Sequence, residues 1–428
     1  MIKPGLVVYM LLVTSLLLTS AVQAETLPQH AEEAHLGVAT CASSVCHGSV
    51  RPRSSSSVLQ NEYVVWSRLD SHRNAYSILL SEESRWIAKN LGLENAHEAE
   101  VCLDCHADNV ALEKRGDRFQ INDGVGCEGC HGGAERYLAS HTDPGQTHQD
   151  NIDAGMYPTD RIEDRAKLCL SCHLGDDQKI ASHEIMGAGH PRLSFELDTF
   201  DVLQPAHYTL DDDYKTKKWS ADHVTVWALG QVEAGYQTLR LIESHLSNGK
   251  LFPELSLFDC HACHHSMSDL RWQPQRLTGL PPGSVRLNDS SFAMLFPIAR
   301  VVAPSQVAKL EEQIKQLHRV VVEKADVKKS VRALNDTLDT LKASVKKFDK
   351  LSDKSKSLLG DVVAIGRAGE VQDYVEAEQA VMAIDLLMRA TGEHELHKKW
   401  VDQLYAAVGD EDTFDPYSFA DIMQSATF

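Results

Sequence analysis

"GVGCEGCHGG", residues 124–133, holds two cysteines two residues apart with a histidine directly after the second. C-x-x-C-H is the attachment signature of a c-type haem. Two thiols can form thioether bonds along one edge of the porphyrin. The next residue then lies under the ring, where its imidazole reaches the iron. The pattern recurs as "CLDCH" at 102–106, "CLSCH" at 169–173 and "CHACH" at 260–264. A stretched copy, "CASSVCH", occupies 41–47, with four residues between its cysteines. The five pairs are Cys41/Cys46, Cys102/Cys105, Cys127/Cys130, Cys169/Cys172 and Cys260/Cys263, and they use every cysteine of the chain. His47, His106, His131, His173 and His264 follow them and are the expected proximal iron ligands.

Two C-x-x-C pairs also suit a tetrahedral zinc site, and cysteines of exported proteins commonly form disulfides. Neither alternative calls for a histidine after every second cysteine. Five covalently attached haems c, with their iron, are therefore the expected cofactors. Ser43 and Ser44 suit an insert that bulges away from the first ring while both thiols still reach it.

Export is read from the first 24 residues. Lys3 precedes an apolar run from Leu6 to Leu18, and Ala24 closes a small-residue stretch before Glu25. That run is short for a membrane span and suits a secretory signal peptide. The expected location is periplasmic or otherwise exported, with no membrane span after signal removal. The formal net charge of −19 argues against a nucleic-acid partner and suits basic or cationic partners.

Five irons call for up to five further ligands, and the region before residue 300 has histidines to spare. "EYVVWSRLDSHRNAYSILL" reads as one helix, with Val65, Leu69, His72, Tyr76 and Leu79 on a single face. "HVTVWALGQVEAGYQTLRLIESH" reads as a second, placing His223 and His245 on a stripe with the small Gly230 and Ala234, where a flat ring can approach. Those two histidines lie about 33 Å apart along a helix and cannot serve one iron. His190 sits in "MGAGHPRLSFEL", a glycine- and proline-fixed loop, and His183 competes with it. His141, ten residues after His131, is within reach of a neighbouring haem. His261 and His265 flank the last motif directly and are expected to face away from its iron.

"GVGCEGCHGG" followed by His141, preceded by "VCLDCH" and by a helix with Trp66 and His72, and followed by "LCLSCH", resembles the tetrahaem cytochrome c554 family of nitrifying bacteria. The resemblance runs over roughly residues 40–175. It implies closely stacked haem pairs and electron transfer, with His141 serving the first haem and His72 the fourth. It also implies that the second haem, on His106, lacks a protein sixth ligand. The chain departs from it in the stretched first motif, the fifth motif and a long C-terminal extension.

The expected fold is mainly α. A pentahaem cytochrome c domain with little regular secondary structure (25–290) is followed by a C-terminal helical-bundle domain (291–428), with "TGLPPGSVRLNDSS" as the linker. Val307, Leu310, Ile314, Leu317 and Val321 form one apolar stripe, and Val327 to Val345 carries another. Further helices are expected near 371–389 and 395–407. His394 and His397 lie one turn apart on a surface expected to be solvated. Two functions fit: relay of electrons between redox partner proteins such as other cytochromes, or oxidoreduction of a small nitrogen or sulfur compound at a five-coordinate haem. The first is preferred because histidines are abundant enough to fill every iron.

Overall fold

The longest apolar helix organises the molecule. In the computed structural model, which describes residues 26–55, 57–246, 253–264, 278–281 and 284–426, the central helix His223–Leu246 is buried over most of its length. It packs against Ile162–His173, the helix that ends in the fourth motif, and against Leu197–Leu203, Lys328–Val345 and Tyr374–Thr391. The C-terminal helices read from apolar stripes are present as Val307–Val322, Lys328–Val345, Tyr374–Thr391 and His394–Ala407. Gly392, at φ 74°, ends the third in the left-handed conformation that glycine adopts without a Cβ penalty. Two helices not expected, Ser355–Arg367 and Pro416–Gln424, complete the bundle. The proposed signal segment and His265 lie outside the described residues.

The fold is mainly α, as expected. Among the described residues the β pairings are two isolated bridges, His35 with Arg115 and Phe258 with Leu287. No described helix is long and apolar enough to cross a membrane.

Apolar packing divides the chain unevenly. One core joins Ile162, Ala166, Leu170, Leu197 and Trp227 to Leu358, Val362, Ile384 and Phe419. A second runs from Val232 and Leu239 through Leu287 to Leu310 and Leu338. Each such fully buried side chain contributes about 1.5–3 kcal/mol. Both cores cross the boundary expected at residue 290, because the central helix lies upstream of it yet is enclosed by helices downstream. The expected linker is likewise part of this packing: Thr278, Arg286, Leu287 and Asp289 are buried. By contrast, among the described residues before Ile162 the apolar cluster is a small one of Leu79, Ala88 and Ala96. The helices Glu62–Leu69 and Glu100–His106 bury no residue. Low-contact helices strung between C-x-x-C-H motifs are what a core of porphyrin rather than side chains requires.

The helix expected over 62–80 is broken. Helix Glu62–Leu69 stops at Asp70, whose extended backbone (ψ 126°) lets its carboxylate accept from the His72 amide. Local side-chain capping competes with helix continuation in this way. A 3-10 turn at Ser71–Asn74 and a short helix Ala75–Ile78 follow.

Candidate haem sites

The stretched motif closes in the same way as a regular one. In the fifth motif the His264 amide donates to the Cys260 carbonyl at 2.7 Å. In the first, the His47 amide donates to the Cys41 carbonyl at 3.2 Å, across two more residues. The surplus is looped out in a turn held by Cys46 and Gly48 amides donating to the Ser43 carbonyl, each at 2.9 Å, and Val45 is exposed. Gly48 is required there, since a Cβ would run into the Ala42 carbonyl.

The ten motif cysteines are free thiols, so none of the five pairs is closed as a disulfide. They are not equally enclosed. Cys263 and Cys46 are exposed, whereas the other eight are half-buried. Cys263 therefore departs from the pattern of the other regular motifs, in which both anchoring thiols are partly covered. Its backbone explains the departure. The second, third and fourth motifs lie on the α-helices Glu100–His106, Cys127–His131 and Ile162–His173. The fifth lies on a 3-10 turn, Cys260–Ala262, closed by the Cys263 amide donating to the Cys260 carbonyl at 3.1 Å. That single turn leaves Cys263 and His264 at the surface while Cys260 faces the protein.

Each motif histidine faces one other histidine. Ring centres are 6.2 Å apart for His47 and His141, His106 and His190, His173 and His72, and His264 and His183, and 6.1 Å for His131 and His207. A metal–imidazole bond of about 2 Å on each side, with each ring centre about 1.1 Å behind its nitrogen, separates two trans imidazoles by about 6.2 Å. The five spacings are those of rings sharing one ion from opposite sides. Side-chain partners point the same way. His47 Nδ1 donates to Glu62 Oε2 at 3.0 Å, and His72 Nδ1 to Asp70 Oδ1 at 2.8 Å. His106 Nδ1 donates to the Ala75 carbonyl at 3.0 Å, His141 Nδ1 to that of Leu138 at 2.7 Å, and His190 Nδ1 to that of Pro191 at 2.7 Å. A hydrogen bond at Nδ1 fixes the tautomer and leaves Nε2 as the ligating atom, the usual arrangement of metal-bound histidine.

Residues 40–132, which include the first three motifs, match the family model described as cytochrome c554 and c-prime. Over these residues the chain is cytochrome c554-like. No curated protein and no solved structure matches it. A c554-like chain is a multihaem c-type cytochrome, with covalently bound haem c and its iron. The thiol pairs and opposed imidazoles described above are the donor set that such a group needs.

Burial keeps four of the opposed imidazoles neutral, whereas hydrogen bonds to Glu62 and Asp70 raise His47 and His72. Burial pulls the His131 pKa down to about 3, with His207 adding to the effect, and that of His173 to about 4, with His72 adding. Burial also lowers His106 and His207. Only a neutral imidazole can ligate a metal. Burial pushes the Cys130 thiol up to about 12. Asp70 is a carboxylate held in place: burial works to raise it, but hydrogen bonds from His72 and Gln204 bring it down to about 2.

The motifs lie in pairs. The Cys41 and Cys127 thiols are within hydrogen-bonding reach, as are those of Cys105 and Cys172. The first motif thus abuts the third and the second abuts the fourth. Glu128, inside the third motif and 3% exposed, fixes the first contact. It accepts from the Leu36 and Ala134 amides with Oε1 (2.7 and 2.8 Å) and from the Gly37 amide with Oε2 (2.7 Å). Around the fourth motif, Phe195 stacks on His173 at 5.0 Å. His173, Phe195, Arg192 and Cys260 line one cleft of about 920 Å³, which brings the fifth motif beside the fourth.

Two candidates are not brought to any motif histidine among the described residues. His223 turns outward, 70% exposed, and donates from Nδ1 to the buried Asp198 at 2.8 Å. His245 contacts the Asp176 carbonyl at 3.3 Å. Gly230 serves helix packing rather than a flat ring, since a Cβ there would lie 2.7 Å from Leu197 Cβ. His207 was not among the favoured candidates. Its signal was "QPAHY", a proline-fixed loop of the kind that singled out His190. The vacancy expected opposite His106 is met by His190. His394, expected on a solvated surface, is buried against Asp385 at 2.9 Å.

Proposed function

We propose that this protein is an exported pentahaem cytochrome that relays single electrons between redox partner proteins. The observation that carries the reading is the set of five opposed histidine pairs at 6.1–6.2 Å, one for every motif. Haem c supplies reversible one-electron chemistry when bound. The ten cysteines anchor it, and ten histidines hold its iron: His47 with His141, His106 with His190, His131 with His207, His173 with His72, and His264 with His183.

With two histidines to hold each iron, a substrate would have to displace one of them to bind the metal. His190 is the decisive residue, since it stands opposite the one motif histidine for which the family resemblance implies an open position. The thiol contacts order the path: first motif to third, second to fourth, with Cys130 lying close enough to Cys172 for their charges to interact. The fifth site joins at the cleft shared by Cys260 and His173, and through the segment 183–190, which supplies ligands to both the second and the fifth site. With Cys263 exposed, the fifth site is also a point where a redox partner can approach a haem edge.

Protein-film voltammetry tests the relay. Reversible one-electron waves, unchanged by nitrite, hydroxylamine or sulfur oxyanions, are expected. A catalytic current with any of them overturns the relay in favour of an oxidoreductase.

A further inference from the structure

Directly before the fifth motif, Asp259 reaches into a buried charged cluster that ligand geometry does not use. Arg286, 3% exposed, stands at its centre. Its Nε lies 3.3 Å from Asp259 Oδ2, and its Nη2 lies 3.7 Å from both Asp289 Oδ1 and Glu376 Oε2 and contacts Asp373. All four carboxylates are 9% exposed or less. His318 Nδ1 accepts from the Leu287 amide at 3.4 Å, so its Nε2 carries the proton that it donates to Asp289 at 3.1 Å. Four buried carboxylates therefore face one guanidinium. Buried charge out of balance is expensive, and a shared proton is the cheapest remedy. Carboxylate oxygens of Asp289, Asp373 and Glu376 come within 4.8 Å of one another, but the guanidinium already stands among them as their cation.

Glu376 is the member placed to exchange that proton. Asp373 accepts from the Glu376 amide, Asp259 from the His261 amide, and Asp289 from His318. Glu376 Oε2 receives the Gln372 amide at 3.4 Å, whereas its Oε1, like Asp289 Oδ1, meets no hydrogen-bond partner. Glu376 also lines a cleft of about 520 Å³ whose other walls include Arg300, Glu311 and Glu370, all reached by solvent. The cleft, whose remaining walls are apolar, thus opens the buried carboxylate toward the surface.

We propose that Glu376 is a redox-linked proton site of the fifth haem, taking up a proton from water through this cleft when a one-electron donor reduces that haem. The inference rests on the pentahaem reading. Reduction removes one positive charge beside Asp259, and the carboxylate cluster compensates by binding one proton at a Glu376 oxygen. Burial already lifts Glu376 to about 7, with the like charge of Asp289 adding to it and Arg286 opposing. The other charged groups near Cys260 are Arg192 and Glu411, which pair at 3.1 Å, with Glu378 on the same guanidinium at 2.6 Å.

The test is a spectroelectrochemical titration of the haem-loaded full chain over about two pH units around neutrality. His183→Met marks the fifth step, since methionine ligation raises the potential. In the parent protein that step falls with rising pH by up to about 59 mV per unit, the tenfold equivalent for one electron. Glu376→Gln flattens it and leaves the other four steps in place. An infrared band of a protonated carboxyl group accompanies reduction in the parent and is absent from Glu376→Gln. Should no step move in His183→Met, the ligand reading falls and the proton site with it. Should the marked step keep its slope in Glu376→Gln, or the infrared band persist there, the proton site alone is overturned.

Discussion

Replacing Glu128 with glutamine removes one charge and preserves shape. Oε1 accepts two amide protons and Oε2 one, at 2.7–2.8 Å, in a site 3% exposed. A glutamine oxygen at the Oε1 position keeps the Leu36 and Ala134 bonds, but as neutral ones, each weaker by about 1 kcal/mol. Its NH₂ then meets the Gly37 amide donor to donor and leaves that group unsatisfied, costing about 1–3 kcal/mol. The expected loss is about 3–5 kcal/mol. Those amides belong to the segment leading into Cys41 and to the loop after His131, so the loss is local to the contact between the first and third motifs. Hydrogen exchange of the Leu36, Gly37 and Ala134 amides reads it directly. If they exchange by local opening, acceleration of at least about 10²-fold is expected, at 1.4 kcal/mol per decade. Acceleration below about fivefold, with all three amides still protected, refutes the claim that this carboxylate clamps the two motifs.

Other outcomes follow from the same geometry. His207→Ala converts one low-spin iron to high spin and leaves four unchanged in the EPR spectrum; an unchanged spectrum removes His207 from the ligand set. His35 is buried with Nδ1 donating to Asp108 at 2.8 Å, and although burial opposes its charge, Asp108 and Glu128 raise its pKa above 6.5. Its stabilisation is therefore complete below about pH 6.5 and is lost as pH rises through the raised folded value. Urea midpoints should fall over that window in the parent and not in Asp108→Asn. Gly230→Ala drives a methyl against Leu197 and should cost about 1–3 kcal/mol, seen as a lower Tm. An unchanged Tm shows that the two helices part without penalty.

The covalent chemistry was legible because it is local: thiol, thiol and imidazole must lie within a few residues of one another. What the spacing could not show is how well each thiol is covered, and Cys263 lies at the surface although its motif is as regular as the three on helices. Partner histidines are a different problem, since the chain returns to them from afar. His72 is a candidate from its helix face and His141 from its nearness to His131, but only the family resemblance pairs them with particular haems, while His190 stands out through its glycine–proline loop. His207 carries a similar proline signal but no glycines, which makes it the weaker candidate by sequence. Helical periodicity misled at His223 and His245, because a stripe shared with Trp227 says nothing about which terminus turns outward. At Asp70 the apolar period continued while a two-residue hydrogen bond broke the helix. "TGLPPGSVRLNDSS" read as a linker from its turn residues, yet Arg286 within it needs four carboxylates that come from three separate parts of the chain. The central helix, read as a mount for haem ligands, is the common wall of both apolar cores, which continue past residue 290.

Ligand planes make the central claim measurable. The ring pairs of His106 with His190, His131 with His207 and His173 with His72 cross at 83°, 90° and 86°, whereas His47 with His141 and His264 with His183 are inclined by 13° and 33°. Crossed imidazoles leave the two iron d orbitals that point between them nearly equal in energy, and parallel ones split them. Integrated EPR of the oxidised protein, with a pyridine haemochrome count on the same sample, should give five haems per chain, all low spin. Three should show the strongly anisotropic signal of crossed ligands and two the rhombic signal of near-parallel ones. Four haems, or a high-spin iron in stoichiometric amount, contradicts five histidine-paired sites.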